Sequence, residues 1–196
     1  DDNEVANLRK ICDEIFGARQ FIANICHKSR ASVSNDKVIS ENHNHILWYC
    51  KNKEVTESLR KTMGLDPDLN GFDRDDGDGR GTYRLVPVDG PGGAKKGNPY
   101  YEFLGVTQYF RFSRTTMEEM YADNRIVKVG DSLQQKYYLS KAKDSRKTDT
   151  TWWEDAGLTS SATTELKKLM DDSVFDNPKP ISLLTRMLKI SCHFSP

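Results

Sequence analysis

The sequence predicts a protein of the α/β class, because two patterns alternate along it. Near both ends, apolar residues recur at steps of three and four residues, as they do on one face of an amphipathic helix. Between these stretches lie short apolar runs rich in β-branched and aromatic residues, which are typical of strands. The chain has 196 residues, of which 36% are apolar, so it can bury a substantial core.

The first 64 residues are predicted to form a helix, two strands and a second helix. The first helix, of about four turns, is predicted from the apolar spacing Val5, Leu8, Ile11, Ile15. Asp1 or Asp2 can cap its start, and Gly17 can end it. Strands are predicted over residues 21–26 and 46–50. The second helix is marked by Val55, Leu59 and Met63.

An acidic loop is predicted for residues 66–81. Asp66-x-Asp68-x-Asn70-Gly71 is the first half of a calcium-loop pattern, but Gly77 stands at the twelfth position, where such loops need a bidentate Glu. Gly77-x-Gly79-x-Gly81 resembles a nucleotide-binding glycine run, yet no predicted strand precedes it and no predicted helix follows it. Both patterns therefore favour an acidic turn over a ligand site.

The second half of the chain predicts three further helices and a hairpin. Thr115 and Glu118 have the spacing of a capping box, which starts a helix that carries Met117 and Met120. Residues 126–129 form the first arm of a hairpin that turns at Gly130-Asp131 and returns through residues 137–139. The last helices are predicted around residues 165–170 and from Ile181, with the spacing Ile181, Leu184, Leu188.

Charge is balanced overall but uneven along the chain. Lys and Arg together number 29, as do Asp and Glu. Residues 66–78 carry six Asp against Arg74, whereas residues 136–147 carry five bases against Asp144. A nucleic-acid surface is therefore expected in the middle or later part of the chain.

Residues 92–114 interleave basic and aromatic side chains. Lys and Arg offset phosphate charge, aromatic rings offer flat faces to bases or sugars, and glycines let a backbone approach a polyanion. A half-buried strand with a solvated basic edge has the same composition. The predicted DNA-contacting residues are Lys95, Lys96, Tyr100, Tyr101, Tyr109, Arg111 and Arg114.

The cysteines and histidines predict no metal site. The cysteines are widely spaced and contain no C-x-x-C pair, so reduced core thiols are expected. His43-x-His45 with Cys50 lacks a fourth zinc ligand at a usual spacing and is explained by an alternating strand. No apolar run is long enough to span a membrane and no secretory signal is present, so a cytoplasmic location is expected.

Six groups of short motifs occur in one order along the chain. They are Asp1-Asp2-Asn3-Glu4 with Ile15-Phe16-Gly17, Asn44-His45-Ile46-Leu47 before Tyr49-Cys50-Lys51-Asn52, Gly97-Asn98-Pro99-Tyr100-Tyr101-Glu102-Phe103, Thr151-Trp152-Trp153-Glu154-Asp155, Thr164-Glu165-Leu166-Lys167-Lys168-Leu169 and Phe175-Asp176-Asn177-Pro178-Lys179-Pro180. Together they resemble the β-class DNA adenine amino-methyltransferases, most closely the methylation subunit of type III restriction-modification systems.

The resemblance implies a partial Rossmann-like methyltransferase core with an inserted α+β target-recognition region. The expected division is methyltransferase core over 1–64, acidic linker over 65–82, recognition region over 83–160 and a cofactor-flanking return to the core over 161–196. In the family, the catalytic Asp-Pro-Pro-Tyr-type element precedes the segment matched by residues 1–4, and the glycine-rich cofactor motif follows the segment matched by residues 189–196. We therefore expect an internal fragment that is inactive alone.

The intact parent is expected to move a methyl group from S-adenosylmethionine to the exocyclic amine of an adenine flipped out of duplex DNA. Double-stranded DNA, a second methylation subunit and a restriction subunit are its expected partners. The resemblance places Asn177, Pro178, Lys179 and Pro180 beside the cofactor, with Lys179 facing the methionine carboxylate and the following helix supplying free backbone N–H groups. Without the resemblance, Pro-x-Pro simply starts a helix.

Two features depart from the family pattern. Asn98-Pro99-Tyr100-Tyr101 resembles the catalytic tetrapeptide, but it has one proline too few and stands in the wrong place, so it is not assigned a catalytic role. Relatives commonly have a Trp where Cys26-His27-Lys28 stands, and His27 is expected at the surface or in a loop.

Two rival functions stay open from the sequence. The first is a free-standing DNA-binding or subunit-interaction module without catalysis. The second is a calcium-responsive module, which depends wholly on Asp66, Asp68 and Asn70.

Overall fold

A computed structural model describes residues 2–35, 37–170 and 175–192. The chain forms two compact units, of which the first comprises Asp1–Asp66 and Arg146–Pro196 and the second Pro67–Ser145. Mixed helices and small sheets make up both units, in agreement with the predicted α/β class. The second unit ends at Ser145, whereas the recognition region is predicted to end at residue 160. The functions assigned to these segments stay predictions.

Most helices and strands lie where the sequence predicts them. In the described residues the α-helices are α1 (Val5–Cys12), α2 (Lys53–Ser58), α3 (Arg114–Ala122), α4 (Leu139–Lys143), α5 (Thr159–Met170) and α6 (Ile181–Ser191). The strands are β1 (Phe21–Lys28), β2 (His43–Tyr49), β3 (Tyr83–Pro87), β4 (Tyr100–Phe103), β5 (Val106–Tyr109), β6 (Ile126–Val129), β7 (Ser132–Tyr138) and β8 (Trp152–Trp153).

The first unit is built on a three-stranded sheet in the order β2-β1-β8. β1 runs antiparallel to β2 and parallel to β8, so Cys26 lies opposite both His45 and Trp152. The buried core against this sheet consists of Ile25, Trp153, Ala156, Leu183 and Ile190. β8 and α6 thus join a sheet whose other strands are β1 and β2, so this unit is built from two segments that are far apart in sequence.

The second unit contains the antiparallel sheet β3-β7-β6 and the separate hairpin β4-β5. The predicted hairpin is confirmed as β6–β7, except that Leu139 begins α4. The core of the second unit is apolar, and Phe110 and Met117 are fully buried in it. The complete buried cluster is Val88, Phe103, Val106, Phe110, Met117, Met120, Ile126 and Leu133.

Two predicted helix caps are wrong. The N-cap of α1 is Glu4, without a side-chain cap bond, because the carboxylate of Asp2 lies 2.8 Å from His45 Nε2 instead; Asp1 lies outside the described residues. The N-cap of α3 is Ser113, whose Oγ accepts the Thr116 N–H at 3.2 Å, so the Thr115 box lies inside the helix. Thus α1 starts without a side-chain cap, whereas at α3 the earlier Ser113 takes the capping role.

His27 is buried, in contrast to its expected place at the surface. It is 2% exposed, and its Nε2 lies 2.8 Å from the carbonyl oxygen of Gly157. Gly157 has φ +89°, and a Cβ there would lie 2.7 Å from Pro180 Cβ, so this position requires glycine. The cysteines are free but half-buried rather than in the core.

Candidate functional site

The exposed basic residues of the second unit begin in a short 3₁₀ turn, Gly93–Lys96. Gly92 and Gly97 flank this turn with φ values of +87° and +70°, a conformation that side chains other than glycine rarely adopt. Lys95 and Lys96 are exposed at its end. The glycines therefore fold this segment into a tight turn that presents two adjacent ammonium groups to solvent.

An exposed pair of tyrosines lies beside this turn. Tyr100 and Tyr109 are directly opposed across β4 and β5, with ring centroids 4.8 Å apart. They are 61% and 38% exposed, which is unusual for two contacting aromatic rings. The Tyr109 ring covers Gly93, where an added Cβ would lie 3.2 Å from a ring carbon. This contact joins the tyrosine pair to the lysine turn.

Tyr101 has a different environment because side chains alternate along a strand. Its ring centroid lies 4.6 Å from that of Phe110, and its hydroxyl donates to the Phe112 carbonyl at 2.8 Å. Burial raises the pKa of Tyr101 above its ordinary value. Tyr101 thus packs the hairpin onto the core, while Tyr100 faces solvent.

The two predicted arginines are both exposed, and both donate to backbone carbonyls. Arg111 Nε donates to Asp89 O at 2.8 Å. Arg114 donates to Glu102 O at 2.6 Å and lies 5.3 Å from the centre of the Tyr101 ring. Arg114 therefore links the start of α3 to β4, whereas Arg111 lies two residues after the exposed Tyr109.

We call the exposed group formed by Lys95, Lys96, Tyr100, Tyr109 and Arg111 the tyrosine–lysine surface. Of the seven predicted DNA-contacting residues, these five are solvent-exposed side chains of one turn, one hairpin and the residues that follow it. Tyr101 packs the hairpin onto the core, and Arg114, also exposed, lies at the start of α3 and donates to Glu102 O on β4. The role of all seven in DNA binding stays a prediction.

A buried ion pair was missed from the sequence. Lys136 is one of the five bases in the charge run 136–147, but its side chain is 5% exposed and its ammonium pairs with Asp76. Tyr83 donates to the same carboxylate at 2.8 Å. These donors lower the pKa of Asp76 below its ordinary value. Lys136 thus anchors the acidic loop and cannot meet DNA without breaking this pair.

Oxygen atoms of the half calcium-loop pattern already contact other groups of the protein: Asp66 pairs with Lys189, and Asp68 lies 3.7 Å from Arg84. Asp68 Oδ1 accepts the Asn70 backbone N–H at 3.0 Å and its side-chain amide at 2.7 Å. This is the geometry of an Asx turn, which a loop forms without a cation. In the segment Asn98-Pro99-Tyr100-Tyr101, which resembles the catalytic tetrapeptide, the side-chain amide of Asn98 is also engaged: it donates to the Pro91 carbonyl at 3.2 Å.

The predicted cofactor segment leads into α6. Asn177 has φ +56°, and Pro180 is buried as the N-cap of α6. The resemblance implies free backbone N–H groups at the start of this helix. The first of them is not free, because Ile181 N donates to Glu165 Oε2 at 3.1 Å. Pro178 and Lys179 border a cleft of about 390 Å³ along α5.

Asn177 and Lys179 also border a second cleft, of about 570 Å³, in the first unit. Its lining is polar and basic, and it consists of Ser29, Arg30, Ala31, Ser32, Asn44, Thr159, Ser160, Asn177 and Lys179. These side chains suit a carboxylate or another small anion. They include no aromatic ring to stack on an adenine and no acid to face a sulfonium, so they fit only the carboxylate end of S-adenosylmethionine.

The described part of the chain contains no helix long and apolar enough to cross a membrane.

Comparisons with known proteins cover almost the whole chain. A family model described as DNA methylase matches residues 1–194. The Mod subunit of the type III restriction-modification enzyme StyLTI from Salmonella typhimurium is 26% identical over 97% of this chain and 30% of its own length. The EcoPI Mod subunit of Escherichia phage P1 is 25% identical over 97% of this chain and 35% of its own length. The EcoP15I Mod subunit of Escherichia coli is 39% identical over 28% of this chain and 8% of its own length.

Proposed function

The chain belongs to the DNA methylase family, and from this membership we propose that it is the DNA-recognising segment of a site-specific DNA adenine methyltransferase. Three relatives named as Mod subunits of type III restriction-modification enzymes support this assignment. The chain spans about a third of the length of the two relatives that it matches over 97% of its residues. The activity and partners proposed below are those of the intact parent.

The observation that carries this proposal is the tyrosine–lysine surface. Lys95 and Lys96 form a compact positive group that can offset two neighbouring phosphates. Tyr100 and Tyr109 supply ring faces and hydroxyl donors beside that group, which suits contact with sugars, phosphates or base edges. Such a surface positions a protein on duplex DNA, and the identity of the recognised bases depends on further contacts in the groove.

The parent is proposed to take S-adenosylmethionine as methyl donor and the exocyclic amine of a flipped-out adenine as acceptor. S-adenosylmethionine supplies an electrophilic methyl group when bound. Within this chain, Lys179 and Asn177 are proposed to hold its carboxylate, with Pro178 and Pro180 fixing the turn that presents them. Glu165 supports that turn, since it accepts the N–H of Ile181.

We also propose that this chain alone does not transfer methyl groups. Support comes from the share of the relatives that it spans and from the apolar face of α1 and the turn after it. Four large side chains of this segment are exposed, namely Leu8, Ile11, Ile15 and Phe16. In a complete methyltransferase domain, further core elements would cover such a face. The proposed partners of the intact parent are duplex DNA, a second methylation subunit and a restriction subunit.

The test is fluorescence anisotropy of labelled duplex DNA titrated with the chain at several salt concentrations. Replacing Lys95 and Lys96 by Ala is expected to weaken binding and to lower the slope of log affinity against log salt by about 2, because each phosphate contact contributes about 0.9. A matched control removes the same charge from the first unit, with Lys10→Ala and Lys51→Ala, both exposed lysines. Equal effects of the two double variants would show that only net charge matters and would remove this surface from the proposal.

A further inference from the structure

A cluster of two histidines and a carboxylate lies at the edge of the first unit's sheet. His43 and His45 are two residues apart on β2, so their side chains lie on the same face of the strand, with ring centroids 5.0 Å apart. Asp2, just before α1, reaches both of them: its Oδ1 lies 2.8 Å from His45 Nε2 and 3.6 Å from His43 Nε2. Three potential ligand atoms, one from each residue, lie within 4.8 Å of one another.

From this geometry we infer that Asp2, His43 and His45 form a binding site for a divalent transition-metal ion of the zinc class. Zinc binds imidazole nitrogen at about 2.0–2.1 Å and carboxylate oxygen at about 2.0–2.2 Å. Tetrahedral ligands at such bond lengths lie about 3.3 Å apart. The distances from Asp2 Oδ1 to His45 Nε2 and His43 Nε2, 2.8 and 3.6 Å, lie on either side of this value, so the carboxylate is placed to share an ion with both rings.

A neighbouring amide orients the better-buried histidine. His45 Nδ1 lies 3.0 Å from Asn24 Oδ1, on β1. With the Nδ1 proton donated to Asn24, Nε2 would offer its lone pair to an ion bound beside Asp2. A histidine held by such a second contact is a common arrangement at zinc sites, because the contact fixes the tautomer of the ligand.

The surroundings leave a coordination position open to solvent. The side chains of His43 and His45 are 29% and 19% exposed, and that of Asp2 is 58% exposed. A bound ion would thus hold three protein ligands and at least one water. Imidazole ligands favour Zn²⁺, Co²⁺, Ni²⁺ or Cu²⁺ over Mg²⁺ and Ca²⁺, which prefer all-oxygen sites.

Such an ion would join the segment before α1 to strand β2. The ligands come from two parts of the chain that are 41 residues apart in sequence at their closest, Asp2 and His43. The site is therefore expected to stabilise the first unit when the metal is present.

The test uses the untagged chain titrated with Co²⁺, whose visible absorption reports nitrogen and oxygen coordination, and with Zn²⁺ as competitor. The expected result is one Co²⁺ per chain, displaced by Zn²⁺. His43→Gln, His45→Gln and Asp2→Asn are each expected to weaken binding at least about tenfold. Glu41→Gln, which removes a nearby exposed carboxylate outside the cluster, is expected to leave affinity unchanged.

Two further measurements keep the result decisive. Near-ultraviolet circular dichroism without metal shows whether each variant is folded, and any unfolded variant is replaced by Asn24→Ala, which is expected to weaken binding by about tenfold through loss of orientation. Cys26→Ser tests the half-buried thiol opposite His45. Absence of saturable binding, or binding that requires Cys26 but tolerates the histidine and Asp2 variants, would overturn the site.

Discussion

The two compact units differ in how completely their apolar residues are covered. In the first unit, large apolar side chains of α1, of the turn after it and of α6 are exposed, among them Ile11, Ile15 and Leu188. In the second unit, a buried cluster fills the space between the hairpin β4-β5, α3 and the sheet, and the exposed aromatic pair is Tyr100 and Tyr109. An apolar helix face needs a covering partner, whereas a paired aromatic surface beside lysines suits a polar ligand. The first unit thus carries an uncovered apolar face, whereas the second unit has a buried core of its own.

The largest expected effect contrasts one phenylalanine from each unit. Phe110→Ala removes a fully buried ring from the second unit and is expected to cost about 3–5 kcal/mol of its stability. Phe16→Ala removes a ring that is 55% exposed and pairs with Tyr49, so it is expected to cost about 1 kcal/mol. Hydrogen exchange resolved by residue measures each unit separately. Similar losses of stability in the two variants would contradict the conclusion that the second unit buries its apolar residues more completely than the first.

A smaller effect is expected from the ion pairs of Arg186 in the first unit. Arg186 donates two hydrogen bonds to Asp149, at 2.6 and 2.8 Å, and lies 4.7 Å from the centre of the Trp153 ring. The Arg186 and Asp149 side chains are 14% and 10% exposed. Asp149→Asn is expected to cost about 3 kcal/mol, because it leaves a buried guanidinium without its main charged partner.

Asp155 provides the matched control, since it binds the same guanidinium at 2.5 Å but is 78% exposed. Asp155→Asn is expected to change stability little. Denaturation followed by tryptophan fluorescence reports on this unit, which contains all three tryptophans, Trp48, Trp152 and Trp153. If the two variants were equally stable, burial of the ion pair would not be the deciding factor.

The smallest effect is a pH dependence in the second unit. The pKa of Asp76 is lowered from 3.8, chiefly by the hydrogen bonds from Lys136 and Tyr83. A lowered folded-state pKa means that the contribution of this carboxylate is fully present above its unfolded pKa and is lost as the pH falls through the folded value. Asp76→Asn is therefore expected to be less stable than the original chain at neutral pH, with the difference shrinking below pH 3.8. Denaturation curves at several pH values measure this, and a constant difference would contradict it.

Local sequence patterns predict most of the helices and strands, but they predict few of the side-chain contacts between them. The strand β1 and the helix α6 follow directly from apolar runs and helical spacing. His27 could not be placed in this way, because its burial depends on Gly157, 130 positions further along the chain. Lys136 was misjudged for the same reason, since Asp76 lies 60 residues before it. Pairs so distant in sequence leave no periodic signal.

The candidate site was predicted by composition, and its geometry came from the fold. Of the seven residues chosen from the basic and aromatic segment, six are exposed, and Tyr101 is half-buried against the core. Tyr100 and Tyr101 are neighbours of the same type, and strand alternation places them on opposite sides. The sequence predicts this alternation but not which side faces the core. That choice depends on Phe110, against which Tyr101 packs.

Hydrogen exchange of the chain with and without duplex DNA tests the central claim most directly, because it locates the contact in one of the two units. We predict that DNA slows exchange in the turn Gly93–Lys96 and in β4–β5, and that it leaves the amides of α1 and β2 unchanged. Lys95→Ala with Lys96→Ala is expected to reduce that protection. Protection confined to the first unit, with none in residues 93–111, would contradict the account.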